Sequence, residues 1–165
     1  RSPSGSPGMG TVIEFAAIKR KPDGSTDTLE LKIAVTDYEI ANAEAGAIRV
    51  TGWTREAWEG AMPKTKAFTL AHNFMAAHTV VGFNVDGDLT RLEREFRYCQ
   101  IETVRRWVDT HELATLLRAR HPDWGAWNLA EACKRYDLEP EGDHRAMGGA
   151  CRAMQVWDKL IGGLT

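Results

Sequence analysis

The chain has 165 residues, of which 43% are hydrophobic and 27% charged, with a formal net charge of −2. That length suits one compact domain with a core of its own, and the near-neutral charge excludes a globally basic nucleic-acid binder, leaving only local patches for such a role. No apolar run approaches the ~18 residues of a membrane span, no signal-peptide pattern is present, and Cys99, Cys133 and Cys151 are too widely spaced for a disulfide framework or a cysteine zinc site; a reducing, cytoplasmic setting is expected.

Residues 1–10, RSPSGSPGMG, are rich in Ser, Gly and Pro and read as a flexible segment or a vector remnant, with Met9 an alternative internal start. From Thr11 the pattern becomes regular. TVIEFAAIKR reads as a buried strand, KPDG as a turn and TDTLELKIAV as a second strand, which together predict a hairpin. TGWTREAWEGAMP predicts a short helix with Thr54 as N-cap and Pro63 as its stop. KTKAFTLAHNFMAAH is helical, with Phe68, Leu70, Ala71, Phe74, Met75 and Ala77 on its apolar side. TVVGF then forms a short strand, and DGDLTRLEREFRYCQ a helix with Leu89, Leu92, Phe96 and Cys99 inward.

RRWVDT predicts another strand and HELATLLRAR a helix. WNLAEACKRYDL follows as a helix with Leu129, Ala132, Cys133 and Tyr136 inward. The last helix is expected from about Asp143 to Ile161, with Ala146, Ala150, Ala153, Met154, Trp157 and Leu160 along one face. No repeat or linker divides residues 11–165, so they read as one α/β domain with a mixed central sheet flanked by helices.

Several of these segments carry chemistry. VVGFNVDGDLTRLEREF places Asn84 at a strand end and Asp88 four residues on, at a helix start. WVDTHEL runs strand into helix, and WNLAEACKRYDLEP leads into DHRAMGGACRAMQVWDKL, where His144 stands at a loop-to-helix boundary. In order and spacing these segments, with the hairpin, resemble the DEDDh exonucleases, the family of the DNA polymerase III proofreading subunit and ribonuclease T. The resemblance runs from residue 11 to about 161 and implies a ribonuclease H-like fold.

The same resemblance sets expectations for the site. The family's chemistry needs about four carboxylates to offset two divalent cations, Mg²⁺ or Mn²⁺, with a His as general base. Asp88 matches the second-motif Asp and His144 the third-motif His, but Gly149 stands where the third-motif Asp belongs. Ser2 aligns with the first-motif Glu, whose Asp would precede Arg1; residues 1–10 thus read as a degenerate first motif or a cloning remnant. Phe83 replaces the His that many members carry before the Asn, and Gly87 the Phe before the Asp.

These matches imply the remains of an active site, with Asp88 and His144 insufficient for catalysis and Asp88 at most a weak metal ligand. No cofactor is expected on this reading. The function expected is a non-catalytic module binding single-stranded nucleic acid or a protein subunit of a nucleic-acid-processing complex, with Asn84, Arg145, Gly149 and Arg152 as contact residues. Arg145 and Arg152, seven apart, flank Gly149 on one helical face, so bare backbone between two cations suits a phosphate or an acidic partner. The alternative is an active metal-dependent 3′–5′ exonuclease using Mg or Mn, whose first motif is upstream or altered. Each residue also has a plainer role: Asp88 as a first-turn acid, Asn84 as a strand-end cap, His144 as a polar loop residue, and Glu14 and Asp109 as structural strand carboxylates.

Overall fold

The structure is a computed structural model that describes residues 10–76, 78–103, 107–109, 128–139 and 145–162. Strand β1 (Glu14–Arg20) pairs antiparallel with β2 (Thr26–Lys32), in a register that sets Glu14 opposite Lys32 and Arg20 opposite Thr26. The connection turns at Gly24, whose φ of 83° favours glycine, and Asp23 closes it by accepting from the Ser25 amide at 2.9 Å. After β2 come two short helices, α1 (Asp37–Ala41) and α2 (Ala45–Thr51), neither of which has a buried residue.

Residues 55–60 form turns in place of the helix expected there. Thr54 still caps, its hydroxyl accepting from the Ala57 amide at 3.0 Å, but Gly60 at φ 76° and the pairing of Met62 with Ile33 leave no room for regular turns to continue. Pro63 begins a helix instead of stopping one: α3 (Lys64–Met75) buries Ala67, Phe68, Ala71 and Met75 while Leu70 stays exposed. Strand β3 (Val80–Gly82) leads into α4 (Val85–Tyr98), which buries Leu89, Leu92 and Phe96. β4 (Trp107–Asp109) lies parallel to β3. The helix expected over 111–120 lies outside the described residues.

Helix α5 (Leu129–Arg135) is capped by Asn128, whose side chain accepts from the Glu131 amide at 2.9 Å. The last helix, α6 (Ala146–Gly162), buries Leu160 of the expected stripe together with Val156, which lies outside it, while the stripe's other members are half-buried. Both strand senses of the expected α/β fold are present, but among the described residues they occur as two two-stranded sheets. α6 packs against β1 and against β3, and so links them.

Two apolar clusters result. The larger joins the hairpin to α3 and α4 through Phe15, Leu31, Ile33, Phe68 and Phe96; the smaller joins α5 to α6 through Ala132, Cys133, Val156 and Leu160. A polar network borders the larger one. Glu95 is only 4% exposed, yet its carboxylate accepts from Arg94 at 3.1 Å and from the Val12 amide at 3.4 Å, with the Lys64 ammonium 3.9 Å away. Lys64 also pairs with Glu39, which accepts from the Thr11 hydroxyl and forms a capping box with Thr36.

Burial pushes the Glu39 carboxyl up, but hydrogen bonds from Lys64, the Thr36 amide and the Thr11 and Thr36 hydroxyls outweigh it and hold the pKa at about 2, below the usual 4.5. A depressed folded-state pKa stabilises above the unfolded value, and that contribution is lost as pH falls from about 4.5 toward 2. Melting temperature should therefore fall across that window. Solvent screening reduces the contribution to about 1–2 kcal/mol, and Glu39→Gln should flatten the fall; an unchanged pH profile in that variant would count against the network.

Candidate functional site

Two backbone features shape the β3–α4 junction. A Cβ on Gly82 would stand 2.7 Å from Cγ2 and 2.8 Å from Cβ of Val85, a buried residue, so only glycine lets the first turn of α4 close onto the strand end. Asn84 then takes a left-handed conformation, φ 57° and ψ 44°, a region that Asn tolerates better than most residues. Its side chain is exposed and does not cap α4.

Asp88 lies in the first turn of α4 with Asp86, where negative charge meets the positive end of the helix dipole. Its side chain is 71% exposed, and Arg91 approaches to 3.7 Å one turn later. Phe83, just before Asn84, packs against the α5–α6 cluster, so its ring serves as apolar filling.

The start of α6 is built differently. Arg145 donates from Nε to Glu14 Oε1 at 2.7 Å and pairs with the same oxygen through a terminal nitrogen, while the Ala146 amide donates to Glu14 Oε2 at 3.1 Å. Glu14 is 8% exposed, and the Trp58 ring lies 5.6 Å from the Arg145 guanidinium. Arg145 is thus engaged with an internal carboxylate and does not stand beside Arg152 as a second outward cation. Arg152 is half-buried and makes no ion pair among the described residues. It does act on Cys133 of α5, whose thiol burial pushes up and the guanidinium pulls part-way back. Gly149 closes the first helical hydrogen bond, its amide reaching the Arg145 carbonyl at 3.2 Å, and a Cβ there would meet nothing within 4 Å. His144 and Ser2 lie outside the described residues.

A family model described as "Exonuclease" (RNase_T) matches residues 6–156. The chain belongs to the DEDDh-type exonuclease family. It is also 30% identical over 138 residues to the protein named "DNA polymerase III PolC-type" from Bacillus cereus; the match takes in 83% of this chain but only 9% of that much longer protein.

Against the exonuclease family's donor set, the described residues fall short. Asp88 and Asp86 are exposed first-turn carboxylates, Gly149 supplies no donor, and Glu14 already serves Arg145 and the α6 amide. Among the described residues no three of His, Cys, Asp and Glu stand together as a metal site. Two divalent cations need about four carboxylates to offset their charge, and the described residues bring together fewer than that. The role of Glu14 was not legible as a site feature. Its one signal is a carboxylate inside the apolar run TVIEFAAI, where an acid needs a partner to be buried.

Proposed function

We propose that this exonuclease-family domain is non-catalytic and binds single-stranded nucleic acid within a larger nucleic-acid-processing complex in the cytoplasm. The observation that carries the reading is Gly149. At the third-motif position α6 presents open backbone and no carboxylate, beside an arginine, Arg152, without an ion pair among the described residues. A cation with no ion pair among the described residues, next to bare helix backbone, favours phosphate oxygens over a divalent cation. The similarity to a PolC-type polymerase supports a polymerase-associated setting, and no helix among the described residues is long and apolar enough to cross a membrane.

The test pairs binding with cleavage. A labelled single-stranded oligonucleotide should bind with salt-dependent affinity, and Arg152→Ala should flatten the log–log salt slope by about 0.7, the loss of one phosphate contact. No shortening of its 3′ end is expected with Mg²⁺ or Mn²⁺. Robust 3′–5′ cleavage by the unaltered chain, removed by His144→Ala, would establish the active exonuclease instead. Loss of a protein complex in Arg152→Ala, with oligonucleotide binding untouched, would assign this face to a protein partner.

A further inference from the structure

Strand β1 begins with a carboxylate among apolar neighbours, Val12, Ile13, Phe15 and Ala16, and the Glu14 side chain is 8% exposed. A charge held that far from water requires partners for both oxygens. Both are supplied by one short stretch far along the chain. Oε1 takes the Arg145 guanidinium, at 2.7 Å from Nε, and Oε2 takes the Ala146 amide at 3.1 Å, across sequence separations of 131 and 132 residues.

The Ala146 amide is one of the first-turn donors that a helix cannot satisfy within itself, and an anion there also meets the positive end of the helix dipole. Trp58 completes the junction. Its ring covers the guanidinium at 5.6 Å, and its Nε1 donates at 3.2 Å to the carbonyl of Ile13, the residue before Glu14. The chain therefore closes a loop of contacts from β1 through Trp58 and Arg145 back to β1.

We propose that Glu14 is a positioning residue: it fixes the start of α6 against β1 and so sets where the face carrying Gly149 and Arg152 stands. The arrangement differs from a simple ion pair because its two halves cannot be exchanged. Arginine at position 14 has no acceptor for the Ala146 amide and would oppose the helix dipole. The proposal rests on the nucleic-acid reading only for its binding readout.

Hydrogen exchange on the full chain tests the positioning itself. In Glu14→Ala the amides of Ala146 to Gly149 should exchange about tenfold faster or more, the scale of one lost charge-assisted hydrogen bond, while amides in α3 and α4 change less. Glu14→Gln keeps volume and one acceptor oxygen, remains informative where the alanine variant fails to fold, and should give a smaller effect in the same place. The reversed pair, Glu14→Arg with Arg145→Glu, should not restore protection. Restoration by the reversed pair, or uniform acceleration throughout the chain, would overturn the proposal.

Binding supplies the second readout. Glu14→Gln should weaken oligonucleotide affinity with the salt slope unchanged, since geometry is lost and no phosphate contact is removed. Tighter binding with a steeper slope would show that Glu14 competes with phosphate for Arg145, and would also overturn positioning. Should the unaltered chain bind no oligonucleotide, the functional reading falls, and the exchange experiment decides the role of Glu14 alone.

Discussion

Replacing Phe96 with alanine should lower the unfolding free energy by about 3–5 kcal/mol, the usual cost of deleting a buried aromatic ring. Phe96 is 1% exposed and meets the Phe68 ring edge-on at 6.1 Å and the His72 ring edge-on at 5.8 Å, so one side chain of α4 is held by two of α3. The same cluster contains Phe15 and Leu31 of the hairpin. Truncation would empty the point where three elements meet, and the neighbouring rings can collapse into the gap only by leaving their own packed positions. Urea unfolding measures the effect as a lowered midpoint at nearly constant slope. Leu70→Ala on the outward side of α3, 38% exposed, should change stability by no more than about 0.5 kcal/mol. Equal losses in the two variants would mean that α4 does not pack as described.

What made these elements legible was contrast between apolar and polar positions. Leu89, Leu92 and Phe96 stand out from charged neighbours, and all three are buried on one face of α4. The hairpin was legible because two β-rich runs flank a turn sequence. Where contrast is low, pattern alone does not mark the buried face. Apart from Cys151 and Arg152, the first half of α6 is Ala, Gly and Met, so little local contrast marks which side faces in, and Val156, absent from the expected stripe, proves to be fully buried. α1 and α2 bury no residue, so no periodicity announces them; α1 stands on its Thr36–Glu39 capping box and on Lys64.

Charge pairing across the chain leaves still less trace. Glu95 sits in a row of alternating Glu and Arg that reads as a solvated helix face, yet it is 4% exposed because Arg94, Lys64 and the Val12 amide converge on it. Arg145 reads as a surface cation beside Gly149, and only folding brings it to Glu14. As a candidate, the site is legible in the sequence only through motif spacing, which singles out Asn84, Asp88 and Gly149. It was not legible where the partner lies in a distant strand.

Gly149→Asp should give the chain a measurable affinity for Mn²⁺ while leaving 3′-end cleavage undetected. The substitution is sterically free, since a Cβ at this position meets nothing within 4 Å. It should also be close to neutral in stability: glycine costs a helix about 1 kcal/mol relative to alanine and aspartate somewhat less, and an acid in the first turn suits the helix dipole. An added carboxylate at the third-motif position, with Asp88, provides two of the donors that the family's spacing assigns to metal. Two oxygen donors from flexible side chains hold a divalent cation weakly, so the gain is expected at millimolar concentration. A metal present at ten times its dissociation constant would raise stability by about 1.4 kcal/mol, readable as a rise in melting temperature that the unaltered chain does not show and that Asp88→Ala removes. Cleavage asks for more. The attacking and leaving oxygens of a phosphodiester each need a cation, and a second cation cannot be held by the same two carboxylates. An equal Mn²⁺ response in the unaltered chain would mean that its carboxylates already form a metal site, and cleavage gained by Gly149→Asp alone would mean that a single ligand separates this domain from an active exonuclease.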